Sequence, residues 1–454
     1  MNLYRLFLEF YKTKKQVSLS RTEMKKLQSE KLQSILRYAY ENSPYYRRSF
    51  EEAGITAENI GDSPLSSFPT IDKQTLLHRF DEIVTVSDLK QQALREYDAM
   101  ETMDASPYLG KYHVVHSSGS TGQPGYFVYD NKAWDTMLLG IIRAALWDMS
   151  MPEILMFLAK RPRVLYVAAT DGRYGGVMAV GDGIKGVGAK QLRLDINAPL
   201  EEWVKKIREF QPNLVIGYPS AIKILGELTT THGLPLKLSR IITCGEPLCA
   251  SMRNYFENAF HTKVFNFYGS SESLAMGVEA DRSEGMLLFD DFNVYEVMNG
   301  KLYLTSLYNF AQPLIRYEIN DAFTLQEPEP EEKYPFTKAK GLLGRSEDMM
   351  WFEQEDGRRD FLHPLAVEGF CIEGLIDYQF VQTGKDSFKM TAELGEGADG
   401  DRVLAEVTGQ MKGILSEKRL DFVRFTVSRV DAIHPDPKSG KKKLILNNNG
   451  SQRA

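Results

Sequence analysis

His116-Ser117-Ser118-Gly119-Ser120-Thr121-Gly122-Gln123-Pro124-Gly125 lies between two short β-like runs, Tyr112 to Val115 and Tyr126 to Tyr129. A loop of hydroxyls and glycines therefore joins two predicted strands. Glycines let backbone amides approach an anion, and successive N–H groups form anion-binding concavities. Ser and Thr hydroxyls add donors suited to phosphate oxygens. The loop is not a Walker A motif, because it lacks Gly-Lys-Ser/Thr and is followed by a strand rather than a helix. Taken alone, it is equally an ordinary polar hairpin loop.

Working outward, the 454 residues exceed one ordinary domain and predict two or three. A hydrophobic fraction of 43% supplies a large core and carries no disorder signature. The net charge of −6 argues against a nucleic-acid binder. Three cysteines, Cys244, Cys249 and Cys371, form no CxxC pair. They suggest neither a disulfide framework nor a cysteine-rich zinc site, and a reducing cytoplasm is the expected compartment. No apolar run approaches the ~20 residues of a membrane span, so no integral span is expected. Met1 to Tyr11 is apolar but broken by Arg5 and Glu9, which predicts an amphipathic helix docked on the body. Membrane-surface binding is the second reading.

Ser20 and Glu23 have capping-box spacing, and Leu27, Leu32, Ile35, Leu36 and Ala39 follow on one helical face up to Ser43-Pro44. Phe68 to Lys73 is a turn that starts another helix, and a helix is predicted from about Asn131 to Asp148. From residue 160 short β-like runs (Val164 to Ala169, Gln191 to Asp195, Leu214 to Gly217, Ile241 to Cys244, Val264 to Tyr268) alternate with helical stretches (Pro199 to Phe210, Ala221 to Thr230, Cys249 to Phe260). Such alternation predicts a parallel α/β sheet, whose ligands bind where loops leave the carboxyl ends of the strands. After Gly344 the pattern changes to paired strands (Tyr378 to Gln382, Phe388 to Glu393), a helix (Asp401 to Leu415) and a strand (Phe422 to Val430). That is a compact α+β unit. The expected division is 1–343 and 344–454.

Four further stretches join the first loop. They are Thr243-Cys244-Gly245-Glu246-Pro247-Leu248, Phe267-Tyr268-Gly269-Ser270-Ser271-Glu272, Pro313 to Asp321 containing Arg316-Tyr317, and Gly344-Arg345-Ser346-Glu347-Asp348-Met349. Each has an ordinary reading as a strand end, a helix cap, a surface ion pair or a solvated turn. Their joint occurrence in this order resembles the adenylate-forming superfamily of acyl- and aryl-CoA synthetases, and more narrowly its phenylacetate–CoA ligase and CapK-like branch. Ser117 to Pro124 matches that branch's Ser-Ser-Gly-Thr-Thr-Gly-Lys-Pro loop. Gly245-Glu246-Pro247 is similar to its Gly-Ala-Glu-Pro, and Tyr268 to Glu272 to its Tyr-Gly-x-(Ser/Thr)-Glu. Arg316 to Asp321 and Gly344 to Asp348 are similar to its later motifs. The resemblance runs from about Ser43 to Leu446.

The resemblance implies a large N-terminal domain binding ATP and an acyl substrate, with parallel β-sheets and helices, and a small mobile α+β C-terminal domain. It implies activation of a small carboxylic acid, aryl or arylacetic, to an acyl-adenylate with release of pyrophosphate, followed by transfer to CoA. Ser117, Ser118, Gly119, Ser120, Thr121 and Gly122 would grip the β- and γ-phosphates. Glu272 would bind Mg2+, a hard cation that takes carboxylate oxygen. Asp321 would accept from the ribose hydroxyls, and Arg345 would contact ribose or phosphate. Gly245, Glu246 and Pro247 would form one wall of the adenine pocket, with Tyr268 on the base and Gly269, Ser270 and Ser271 beside it. Tyr174, Tyr218, Pro219 and Ser220 lie where relatives line the acyl pocket.

Near the C-terminus, Asp436-Pro437-Lys438-Ser439-Gly440-Lys441-Lys442-Lys443 reads as a basic tail or, by the resemblance, as the site of the catalytic lysine. Lys441 fits the Gly-Lys register and Lys443 is the alternative. Relatives rotate this domain between half-reactions, with Glu347 at the hinge position. Gln123 stands where a lysine is usual, and Asn320 where a glycine is usual. Two rival functions stay open: adenylation with an amine, carrier-protein thiol or coenzyme hydroxyl as acceptor, and a non-catalytic nucleotide-binding protein. The oligomeric state also stays open, with a homodimer among the expectations.

Overall fold

The structure is a computed structural model that describes residues 3–99, 107–116, 125–168, 178–179, 181–183, 188–196, 198–231, 233–234, 236–281, 285–319, 321, 323–329, 331–340, 350–354, 359–362, 367, 370, 372–418, 420–434 and 442–447. Helix α1 (Leu3–Gln16) docks on the body, as its amphipathic pattern predicts: Phe10 packs with Leu139, Leu146 and Ile154. Helix α2 (Arg21–Asn42) opens on the expected capping box, with Ser20 Oγ accepting from Glu23 N and Glu23 accepting from Ser20 N. It buries Met24, Ile35, Leu36 and Ala39. Ser43 ends α2 and caps α3 (Pro44–Glu52), whose proline sits where no amide donor is needed. Asp72 caps α4 (Lys73–Ile83), and α5 (Gln91–Ala99) follows.

Strands β1 (Tyr112–His116) and β2 (Tyr126–Asp130) pair antiparallel, with Tyr112 opposite Asp130 and His116 opposite Tyr126. Asp130 caps α6 (Asn131–Ala145), and α7 (Met151–Ala159) follows. The α/β alternation then unfolds as read: β3 (Arg163–Ala168), β4 (Lys190–Asp195), α8 (Leu200–Phe210), β5 (Leu214–Gly217), α9 (Pro219–Thr231), β6 (Arg240–Cys244), α10 (Ala250–Phe260) and β7 (Val264–Tyr268). Strand β3 is buried from Val164 to Ala168, as a parallel strand covered on both faces must be. Next come β8 (Gly277–Glu279), β9 (Met286–Leu288), β10 (Asn293–Met298), β11 (Lys301–Ser306), β12 (Tyr317–Ile319), β13 (Thr324–Gln326) and β14 (Lys338–Lys340). The main sheet has the order β13-β14-β9-β8-β7-β6-β5-β3-β4, in which β7-β6-β5-β3-β4 are parallel. Strands β10, β11 and β12 form a separate antiparallel sheet.

The C-terminal part begins with the antiparallel pair β15 (Met350–Glu353) and β16 (Arg359–Leu362). It continues with β17 (Leu375–Gly384), β18 (Ser387–Leu394), α11 (Gly400–Glu417), β19 (Arg424–Val430) and β20 (Ile445–Asn447). The sheet order is β19-β18-β17-β20, with an antiparallel centre and parallel edges. Helix α11 buries Val403, Val407, Met411 and Leu415, one residue per turn. The expected boundary at 343/344 lies outside the described residues. Among the described residues no helix is long and apolar enough to cross a membrane.

Candidate active site

Three consecutive parallel strands, β5, β6 and β7, deliver the chemistry at their carboxyl ends, where an open α/β sheet holds its ligands. After β6, Gly245 has φ +78°, a conformation that L side chains rarely adopt. A Cβ there would lie 2.7 Å from Tyr218 Cε1, so the close approach of the two chains also requires glycine. Tyr218 and Pro219 are buried, and Pro219 opens α9. Glu246 is buried as well. Its Oε2 accepts from Ser220 N (2.9 Å), and its Oε1 accepts from Ser220 Oγ (2.9 Å) and Lys442 N (2.8 Å). Burial pushes its pKa up against these donors. Pro247 is partly exposed.

After β7, the buried Tyr268 donates from its hydroxyl to Asp321 Oδ2 at 2.7 Å. Burial and then the Asp321 charge hold the phenol protonated far above its usual 10.0, so it remains a donor. A Cβ at Gly269 would meet Leu274 O at 2.4 Å, which fixes a glycine at this turn. Ser270 N donates to Ser273 O (3.3 Å), closing the turn. Ser271 Oγ donates to His116 O (3.4 Å), and Ser271 O accepts from Tyr129 Oη (2.8 Å). The last residue of β1 is thereby tied to the neighbour of Glu272. The Glu272 charge helps push up the pKa values of Tyr129, Tyr268 and Tyr317, which surround it.

Glu246 thus follows β6, and Tyr268 ends its sheet neighbour β7 with Ser271 and Glu272 just beyond, Asp321 being held to Tyr268 and His116 to Ser271. Ser117 to Pro124, Tyr174, the stretch Gly344 to Met349 with Arg345, and Lys441 lie outside the described residues. Of the C-terminal lysines that are described, Lys442 is buried with its ammonium on the Asp377 carboxylate. Burial alone would lower its pKa, and Asp377, Cys249 and Glu246 together outweigh this and raise it. Lys443 is exposed, and its carbonyl accepts from Gln379 Nε2 at 2.9 Å.

Among the described residues no group of three or more His, Cys, Asp or Glu could hold a metal. Mg2+ does not need one, since it is commonly held by one or two carboxylates plus substrate phosphates. Glu272 is a donor of the right hardness.

Two contacts escaped the sequence reading: Ser220 as a double donor to Glu246, and Asp377 as the partner of Lys442. A signal existed for Asp377, a lone carboxylate in the apolar run Leu375 to Val381.

No protein-family model matches the chain. It is 26% identical over 354 residues to the phenylacetate–coenzyme A ligase of Escherichia coli K12, covering 72% of each chain. It is 23% identical over 449 residues to Protein CapK of Staphylococcus aureus, covering 93% of this chain and 89% of that one. The fold matches a 2-hydroxyisobutyryl-CoA ligase solved in its postadenylation state with R3-HIB-AMP, with a TM-score of 0.70 at 20% identity, covering 96% of this chain and 91% of that one. The resemblance to the phenylacetate–CoA ligase and CapK branch is borne out along most of the chain, and the protein has the fold of the adenylate-forming ligases.

Proposed function

We propose that the protein activates a small carboxylic acid with ATP and passes the acyl group to the thiol of CoA. The acid's carboxylate oxygen attacks the α-phosphorus, the bond to the β-phosphate oxygen breaks, and pyrophosphate leaves. The CoA sulfur then attacks the acyl carbonyl carbon, and AMP leaves as the carboxyl oxygen–carbon bond breaks. The names of the E. coli relative and of the structural neighbour support this chemistry. The observation that carries it is the tie between Ser271, the neighbour of Glu272, and His116, the last residue of β1, with the Tyr268–Asp321 pair on the same strand end.

In this proposal, Asp321 receives the ribose hydroxyls, and the neutral Tyr268 phenol holds its carboxylate in place. Gly245 to Pro247 wall the adenine. The loop from Ser117 to Gly122 grips the triphosphate, and Arg345 reaches ribose or phosphate. Tyr218, Pro219 and Tyr174 bound the acyl group. Glu272 would hold Mg2+, which supplies positive charge to the phosphate oxygens. Lys441 supplies the ammonium between α-phosphate and carboxylate. A compact charge on a long stem suits that position. The C-terminal domain, 344–454, moves between the two half-reactions. The compartment is the cytoplasm, where both ATP and CoA are present.

A second assignment keeps the adenylation and changes the acceptor to an amine, a carrier-protein thiol or a coenzyme hydroxyl. Its support is the similarity to CapK, which runs over 93% of this chain. Pyrophosphate exchange across a panel of aryl, arylacetic and small aliphatic acids, with and without CoA, decides between them. Acid-dependent exchange with a CoA thioester product is the expected result. Exchange without thioester moves the assignment to the second acceptor class. ATP binding without pyrophosphate release by any acid would leave only a nucleotide-binding protein.

A further inference from the structure

We propose that Glu246 is a positioning residue for adenylation, joining the C-terminal unit to the body through the Lys442 amide. This rests on the adenylation reaction proposed above. One carboxylate oxygen, Oε1, accepts from Ser220 Oγ of the body and from Lys442 N of the C-terminal unit. The other oxygen takes Ser220 N, an unpaired donor in the first turn of α9, so the carboxylate is fixed from the body side. Lys442 is fixed from its own side as well, because its ammonium sits on Asp377 of β17.

Lys442, 196 residues away in the chain, is therefore held between two buried carboxylates, its amide on Glu246 of the body and its ammonium on Asp377 of the C-terminal sheet. A second buried crossing lies close by: Lys223 of α9 pairs with Glu393 of β18, which also accepts from Ile433 N at 2.6 Å. Removing the Glu246 carboxylate leaves the Lys442 N–H buried and unsatisfied. That cost falls on the docked arrangement of the two units.

The test uses the full-length protein, with Glu246→Ala and, in case the alanine variant does not fold, the larger Glu246→Leu, neither of which offers the Lys442 amide an acceptor. With an acid the wild type accepts, pyrophosphate exchange should fall about tenfold or more in kcat, a larger change than any rise in KM for ATP. Thioester formation from supplied acyl-adenylate and CoA should fall less than pyrophosphate exchange does, since that half-reaction does not draw on the contact. A rise in KM for ATP at unchanged kcat would overturn the proposal and make Glu246 an adenine contact only. Amide hydrogen exchange of residues 442–447 in nucleotide-free protein gives a readout free of chemistry. It should quicken about tenfold or more in the variants, and unchanged exchange would overturn the contact. A wild type that exchanges pyrophosphate with no acid refutes the adenylation reaction, and with it a role for Glu246 in that step, even where the hydrogen-exchange result upholds the contact.

Discussion

Two buried ion pairs bracket the molecule and differ in where their charges can go. Arg143 of α6 meets Asp291 in a two-pronged contact of 2.6 and 3.0 Å, with neither side chain exposed. The rings of Phe289, Phe292 and Phe336 surround the guanidinium. Thr13 O of α1 accepts from it too. Lys223 and Glu393 are nearly as buried but come from opposite sides of the seam between body and C-terminal unit. If Arg143 is lost, Asp291 reaches water only by unfolding the body. If Lys223 is lost, Glu393 reaches water when the two units part in the movement proposed above. The same chemistry thus serves permanence in one region and, in the proposed movement of residues 344–454, reversible docking in the other. Burying a charge is costly in both, and only the seam offers a route out of that cost short of unfolding.

Arg143→Leu tests the permanent side and carries the largest expected effect. It should cost about 3–5 kcal/mol of global stability, because it strands a buried carboxylate and empties an aromatic cage. Denaturant unfolding measures this, and a loss under about 1 kcal/mol would mean that the body relaxes around Asp291 as freely as the seam does. The chemistry proposed for the C-terminal side is tested next. Lys441→Ala should lower acid-dependent pyrophosphate exchange by about 10²–10³-fold while ATP binding, measured by calorimetry, persists. Near-normal exchange would transfer the role to Lys443.

Lys223→Met separates the two kinds of pair most directly. Its global unfolding should stay within about 1 kcal/mol of wild type, because Glu393 escapes by undocking. Pyrophosphate exchange should drop about tenfold, the price of a less populated docked arrangement. A loss of global stability as large as that of Arg143→Leu would erase the distinction between seam and interior.

The elements of this comparison were unequally legible in the sequence. Alternating runs from Val164 onward reported the parallel sheet, since continuous apolar strands and amphipathic helices are what such a layer demands. Ser20 with Glu23 reported a helix start through purely local geometry. Glycines 245 and 269 marked strand ends whose backbone admits no side chain. Arg143 and Lys223 were illegible as buried cations. A charge within a helix ordinarily marks its solvent face, and their partners lie 148 and 170 residues away. Periodicity reports that a face is covered and is silent on what covers it. The Glu246–Lys442 contact is hidden for the same reason, although both residues sit in stretches that the sequence singled out.

The smallest expected effect is one of pH, and its sign follows from Glu393. Burial raises its pKa above the usual 4.5, opposed by Lys223 and the Ile433 amide and reinforced by the nearby Asp377 charge. A raised carboxyl pKa means that the docked arrangement favours the neutral form. The stabilisation from this group is therefore complete below pH 4.5 and is lost as the pH climbs through the raised value. Docking, read as hydrogen-exchange protection of residues 442–447 corrected for intrinsic rates, should weaken severalfold over that interval. Glu393→Gln should flatten the dependence. Protection that instead grows with pH would mean that the attraction of Lys223 outweighs the burial of the carboxylate. The seam would then resemble the Arg143–Asp291 pair, held by charge rather than releasing it.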